Sequence, residues 1–200
     1  MFRKYLFSTD HKVIGLQYAL TSLVFLLLGF TLILLIRWQL AYPGDPVPVI
    51  GPWLGEANAP GGVILPEFYN QLAAMHGTIM VFLGVVPLAV GAFGNYITPL
   101  QLGAPDMAFP RINMASYWAY LAGGLIMLAS FFAPGGAANS GWTSYPPLAD
   151  IATSGQTFWL AGIPLIRVSS LLGSVNMLTT LVQLRAPGLT RFRLPFFVRS

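Results

Sequence analysis

Four long apolar blocks, separated by polar stretches rich in proline and glycine, set the plan of this chain. Residues 14–36 carry no charged side chain, and 23 residues at about 1.5 Å each exceed the roughly 30 Å hydrocarbon core of a bilayer. Residues 72–97 are apolar or neutral apart from His76, 113–133 hold no charge, and 158–182 are interrupted only by Arg167. Each block predicts a membrane-spanning helix. A further apolar run begins at Leu194, and the stretch 194–200 is too short to cross, so it reads as the start of a fifth element. No internal repeat, heptad run or low-complexity tract competes with this reading. The expected fold is all-α, a polytopic transmembrane helix bundle forming a single transmembrane domain.

Composition strengthens that picture. Hydrophobic residues make up 56% of the chain and charged residues 8%, with a mean hydropathy of +0.69, whereas soluble domains are about 25% charged. The net charge of +4 does not point to nucleic acid, because the basic residues form no patch with interleaved aromatics. They mark membrane sides instead. Pro43–Pro66 and Pro134–Gln156 contain Asp45, Glu56 and Asp150 but neither Lys nor Arg; Arg3, Lys4, Lys12, Arg111, Arg185, Arg191, Arg193 and Arg199 fall in the alternate segments. Positive-inside bias therefore places both termini on the cytoplasmic side or its mitochondrial equivalent. The first hydrophobic stretch is too long for a signal-peptide core and lacks a cleavage site, so it reads as a retained span. With no cysteine, disulfide frameworks, thiolate metal sites and cysteine nucleophiles are excluded.

His76 is the first residue that carries chemistry. An ionisable group inside a span faces a bundle interior or a cavity and is expensive to keep there. Two readings stand side by side: a neutral histidine hydrogen-bonded to a neighbouring helix, or an axial haem ligand, for which a helix-borne imidazole is well suited. Gly77, Gly84 and Gly91 recur every seven residues and would leave one bare stripe on an α-helix, open to a second helix or to a flat macrocycle.

Several strings together carry a resemblance: Ser8-Thr9-Asp10-His11-Lys12, Tyr69-Asn70-Gln71-Leu72-Ala73-Ala74-Met75-His76-Gly77-Thr78, Gly94-Asn95-Tyr96, Gly103-Ala104-Pro105-Asp106-Met107-Ala108-Phe109-Pro110-Arg111 and Gly141-Trp142-Thr143-Ser144-Tyr145-Pro146-Pro147. From Phe2 to Val198 the chain resembles cytochrome c oxidase subunit I of the haem-copper terminal oxidases. The resemblance implies the first four helices, and the start of the fifth, of a subunit with about twelve. It implies a respiratory catalytic subunit that passes electrons to oxygen and pumps protons in the bacterial plasma membrane or mitochondrial inner membrane. Its partners would be lipid, oxidase subunits II and III, and cytochrome c or quinol as donor. His76 takes the place of one axial ligand of the low-spin haem. Arg37 matches an arginine beside a substituent of that haem, although a snorkelling arginine is its bland alternative. Trp142 matches a tryptophan near the propionates, where interfacial anchoring is the default. The second axial histidine, the second haem and the copper site belong to later helices, so this stretch alone is not expected to reduce oxygen.

The same resemblance implies that Asp106 is the mouth of the D proton pathway, with Asn95, Asn113 and Asn176 as its asparagines and Tyr18, Ser116, Ser169 and Ser170 as further polar groups. An exposed loop aspartate would otherwise be merely solvated, and single Ser or Asn residues in spans usually bond a neighbouring helix. As a set they suggest a shared hydrated interior. Ser169 and Asn176 lie about 10 Å apart along one helix face. Pro99, Pro105 and Pro110 are expected to break any helix around Asp106. The chain departs from the family pattern at Gln39, Pro164, Arg167 and Arg199, where relatives usually carry glutamate, histidine, glycine and tryptophan. Competing readings are a nitric-oxide-reductase-like subunit, against which Asp106 and the asparagines argue, and a non-haem transporter or assembly protein.

Overall fold

The structure, a computed structural model, describes residues 5–190 and 193–199; Arg3, Lys4 and Arg191 of the charge pattern, the Phe2 that opens the resemblance, and Ser200 at the end of the short run lie outside the described residues. Four helices are long and apolar enough to cross a membrane: α1 His11–Ala41, α2 Pro66–Leu102, α3 Pro110–Phe132 and α4 Gly155–Gln183. A single turn, α5 Phe196–Arg199, follows. Among the described residues no strand forms, and one isolated bridge joins Ala137 to Gly155. The protein is all-helical and an integral membrane protein.

Local sequence explains the helix boundaries. Asp10 caps α1, its Oδ1 accepting the Lys12 backbone N–H at 2.7 Å, where an acidic side chain also complements the helix dipole. Pro66 opens α2, where a missing N–H costs nothing. Past Thr78, α2 changes from α-helical bonding to i→i+5 bonding over Ile79–Val85 and again over Pro87–Gly94. Such widening is one way a membrane helix absorbs a proline that cannot donate.

Pro99 does not break the chain as expected. It sits inside the last α-helical stretch of α2, Asn95–Leu102. Lacking an N–H, it leaves the Asn95 carbonyl without its helical donor, and the His11 ring takes that place, Nδ1 donating to Asn95 O at 2.9 Å. The true stop is Gly103, at a left-handed φ of 69°. There the Gly103 and Ala104 N–H groups return to the carbonyls of Leu100 and Pro99, the bonding that ends many helices. Pro110, far from breaking α3, is its first residue.

The chain folds as two compact units, each fed by all four long helices. The first combines residues up to Leu23 with Val85–Gly124 and the chain from Ile163 onward; the second combines Val24–Gly84 with Leu125–Gly162. In the first, Gly15 lets α1 approach the α2 backbone, since a Cβ there would meet Ala92 O at 3.1 Å, and Gly91 accepts the Tyr18 ring at a would-be Cβ distance of 2.6 Å. In the second, Gly29 faces Met80 and Gly84 faces Leu26, with would-be Cβ distances of 2.7 and 2.5 Å. Of the two occupants the glycine stripe could admit, a second helix takes two of its three positions: α1 side chains fill Gly84 and Gly91, and Gly77 faces Trp142. Close helix packing through small residues explains the first two.

Candidate functional site

His76 lies in the second unit, partly buried in the α-helical first part of α2. Its Nδ1 is 2.8 Å from the Gly29 carbonyl oxygen of α1. A carbonyl only accepts, so Nδ1 carries the hydrogen, and a neutral ring with this bond has its lone pair at Nε2. Fixing one ring nitrogen against a backbone carbonyl is how proteins orient a metal-ligating imidazole and choose its tautomer. The approach depends on Gly29, which brings the two helices close enough for the bond.

Trp142 comes to the same helix. A Cβ at Gly77, the residue after His76, would meet Trp142 Cδ1 at 3.7 Å, and the Trp142 and Phe82 ring centroids are 6.1 Å apart. Trp142 is 65 positions from Gly77 in sequence, and the fold brings it against this residue, the one that follows His76. Arg37 is not gathered with them. It is exposed and lines, with Trp38 and Tyr42, a separate pocket of about 480 Å³ that includes neither His76 nor Trp142.

The polar file occupies the first unit. Tyr18, 4% exposed, shares hydrogen bonds of 3.1 Å with Ser116 and with Ser169, and the Ser116 hydroxyl donates to the Asn113 carbonyl at 2.7 Å. Each hydroxyl has one hydrogen. Ser116 spends its own on Asn113, so Tyr18 donates to Ser116, and Ser169 donates to Tyr18. Three hydroxyls from α4, α1 and α3 thus form one directed chain.

Asn113 and Asn176 have no solvent exposure, yet both amide atoms of Asn113 and Nδ2 of Asn176 lack a protein partner. Buried amides rarely stay unpaired, and ordered water is the usual partner. Asn95 instead turns back on its own helix, Nδ2 donating to Gly91 O at 2.6 Å. Asp106 is partly buried in the loop between α2 and α3, its Oδ1 accepting the Met107 N–H at 2.7 Å. That loop is pinned to α4: Ala108 N–H donates to Thr180 Oγ1 at 2.9 Å and Phe109 N–H to Asn176 Oδ1 at 2.8 Å. Ser170 is exposed, on the side of α4 away from Ser169. It stands outside the buried network, as Asn95 does by bonding its own helix.

Three residues given no individual role in the sequence reading hold these sites together. Buried His11 ties α1 to the Asn95 carbonyl. Buried Thr180 holds the Asp106 loop. Buried Gln71 bonds the Gly135 carbonyl and the Ala137 N–H across the loop before α4. A polar side chain inside an apolar block was the available signal for Thr180, and one at the edge of a block for Gln71. His11 had none, because the carbonyl it serves is freed by a proline far along the chain.

The fold and these geometries define a class: an integral membrane protein of apolar helices, carrying an oriented helix-borne imidazole and a buried polar file. Residues 13–200 match the family described as Cytochrome C and Quinol oxidase polypeptide I. The probable cytochrome c oxidase subunit 1-alpha of Streptomyces avermitilis is 44% identical over 198 residues, covering 98% of this chain and 31% of that protein. Cytochrome c oxidase subunit 1 of Thermostichus vulcanus is 43% identical over 192 residues, 96% of this chain and 32% of its own length. That of Corynebacterium efficiens is 43% identical over 193 residues, 95% and 30% respectively. The chain belongs to the cytochrome c and quinol oxidase polypeptide I family, and it spans about 31% of the length of such curated relatives. Membership implies haem and copper cofactors. Among the described residues no three His, Cys, Asp or Glu side chains gather as a metal site, so a group held here would rest on His76.

Proposed function

We propose that this chain is the N-terminal part of the catalytic subunit of a respiratory cytochrome c oxidase, and that His76 Nε2 is one axial ligand of its low-spin haem. The carrying observation is the 2.8 Å bond from His76 Nδ1 to Gly29 O, which leaves Nε2 as the only ring nitrogen with a free lone pair. The haem supplies electron transfer when bound. The protein's part is to hold the imidazole in one tautomer, with one ring orientation. Trp142 beside Gly77 screens that helix surface, and Arg37 serves a haem substituent.

In the same reading the first unit handles protons. Asp106 takes a proton from the aqueous side, the unpaired amide atoms of Asn113 and Nδ2 of Asn176 hold water, and Tyr18, Ser116 and Ser169 continue the route as a hydroxyl chain. Asn95 flanks it and Ser170 extends it toward later helices. A chain of hydroxyls passes a proton by each oxygen accepting one and releasing another; because all three hydroxyls point toward Asn113, passage from Asp106 to Ser169 requires each of them to turn over first. Lys12, Arg111 and Arg185 place this side toward the cytoplasm or matrix. The complete subunit would also hold the second haem and copper, assemble with subunits II and III, and receive electrons from cytochrome c or quinol.

The test is His76→Ala in the complete subunit, read by reduced-minus-oxidised spectra of the purified oxidase. Loss of the low-spin haem band is expected, and an unchanged band rejects the ligand role.

A further inference from the structure

Trp142 is 54% exposed, yet the loop that carries it is held by two buried glutamines. Gln71, 5% exposed on α2, spans the loop backbone: Nε2 donates to Gly135 O at 2.9 Å and Oε1 accepts the Ala137 N–H at 3.0 Å. The fit is close, because a Cβ on Gly136 would collide with the Gln71 amide, and Gly136 has a left-handed φ of 84°. Gln156, 4% exposed at the start of α4, spans the next turn: Ser140 Oγ donates to its Oε1 at 2.7 Å and its Nε2 donates to Ser144 Oγ at 2.8 Å. Trp142 is the midpoint of the turn that Gln156 closes. Thr153 adds a third tie, donating to Ala137 O at 2.7 Å.

These bonds form a mount. Gln71 fixes the base of the loop to α2 about 7.5 Å along the axis from His76; Gln156 fixes the turn at its tip; Trp142 lands on Gly77 and Phe82. Neither amide can be replaced by an apolar side chain without leaving a buried partner, Ala137 N–H or Ser140 Oγ, without that bond.

We infer that Gln71 and Gln156 are positioning residues that set Trp142 against Gly77 and Phe82 of α2, in the stretch that carries His76, and so control how far water and polar groups reach the low-spin haem that His76 ligates. The inference rests on the haem reading above. Polarity and solvent access around a haem govern its potential, because water stabilises the more highly charged oxidised state. Loosening the mount should therefore lower the potential without removing the haem.

The experiment uses the purified oxidase containing the complete subunit. Gln71→Met keeps the length of the side chain and removes both bonds. The low-spin haem is expected at full stoichiometry, with its midpoint potential shifted down and faster hydrogen exchange at the Ala137 amide. Gln156→Met, which releases the tip instead, should move the potential the same way, so a failure of one variant to assemble leaves the other as a test. Trp142→Ala should produce the larger shift, and Gln71→Met added to it should produce little more, because Gln71 acts through Trp142. An unchanged potential in both Met variants, or shifts that simply add in the double variant, would overturn the inference. The His76→Ala spectrum separates the two failures: retention of the low-spin band there refutes the haem reading, whereas its loss together with silent glutamine variants refutes only the mount.

Discussion

Asn176 accepts the Phe109 backbone N–H on Oδ1 at 2.8 Å, while Nδ2 of the same fully buried amide has no protein partner. One half of the side chain builds the Asp106 loop and the other half is available to water. The two roles can be separated. Asn176→Leu should strip Phe109 of its acceptor, speed its hydrogen exchange and cost about 1–3 kcal/mol. Asn176→Asp keeps the acceptor and should leave Phe109 protected. Equal exchange at Phe109 in the Leu variant and the unmodified protein would mean that Thr180 alone holds the loop.

The direction of the hydroxyl chain makes Tyr18 its central link. Tyr18→Phe preserves the ring, which stacks 5.2 Å from Tyr120 and meets Tyr117 edge-on at 5.2 Å, but removes both hydroxyl bonds. Proton uptake by the complete enzyme should slow, with a stability loss of about 1 kcal/mol. Ser169→Ala removes only the terminal donor and leaves the bond from Tyr18 to Ser116, so its effect on uptake should be smaller. Flash-induced proton uptake compared across the two variants checks the order, and a larger defect in Ser169→Ala contradicts the assigned polarity.

Packing between α1 and α2 gives a prediction independent of any cofactor. A Cβ on Gly91 would lie 2.6 Å from the Tyr18 ring, whereas one on Gly77 would meet Trp142 at an ordinary 3.7 Å. Tyr18 is bonded on two sides and cannot simply swing away. Gly91→Ala should thus destabilise by about 1–3 kcal/mol through overpacking, and Gly77→Ala should be near neutral. Thermal midpoints of the two variants in one detergent decide the matter, equal values being the contrary result.

The apolar blocks revealed the helical class directly, because a hydrocarbon solvent leaves few alternatives to a helix with its backbone satisfied internally. His76 and the asparagines were legible for the same reason: polar groups stand out against apolar sequence. What stayed hidden depends on partners distant in sequence. Nothing near Gly136 announces that Gln71 occupies the space of its missing side chain, and nothing near His11 announces Pro99. The seven-residue glycine spacing left two occupants possible and presumed uniform α-helical periodicity, which the i→i+5 stretches of α2 do not keep. Ser169 and Ser170 looked equivalent as neighbours, yet successive positions on a helix point about 100° apart, and only Ser169 turns inward.

Asp106 offers the sharpest separation of charge from structure. Its Oδ1 accepts the Met107 N–H at 2.7 Å, and the loop around it is held by Thr180 and Asn176 rather than by the carboxylate. Asn at this position retains an acceptor for Met107, so Asp106→Asn should leave the loop and its hydrogen exchange unchanged while removing the group that can carry a proton. Turnover or proton pumping by the complete oxidase is then expected to fall by about two orders of magnitude, the lower end of what a positioned acid–base group contributes. Asp106→Glu keeps the ionisable group on a longer stem and should restore part of the activity. Normal turnover and pumping in the Asn variant would remove Asp106 from the proton route, and a changed loop with lost activity would make it a structural residue instead.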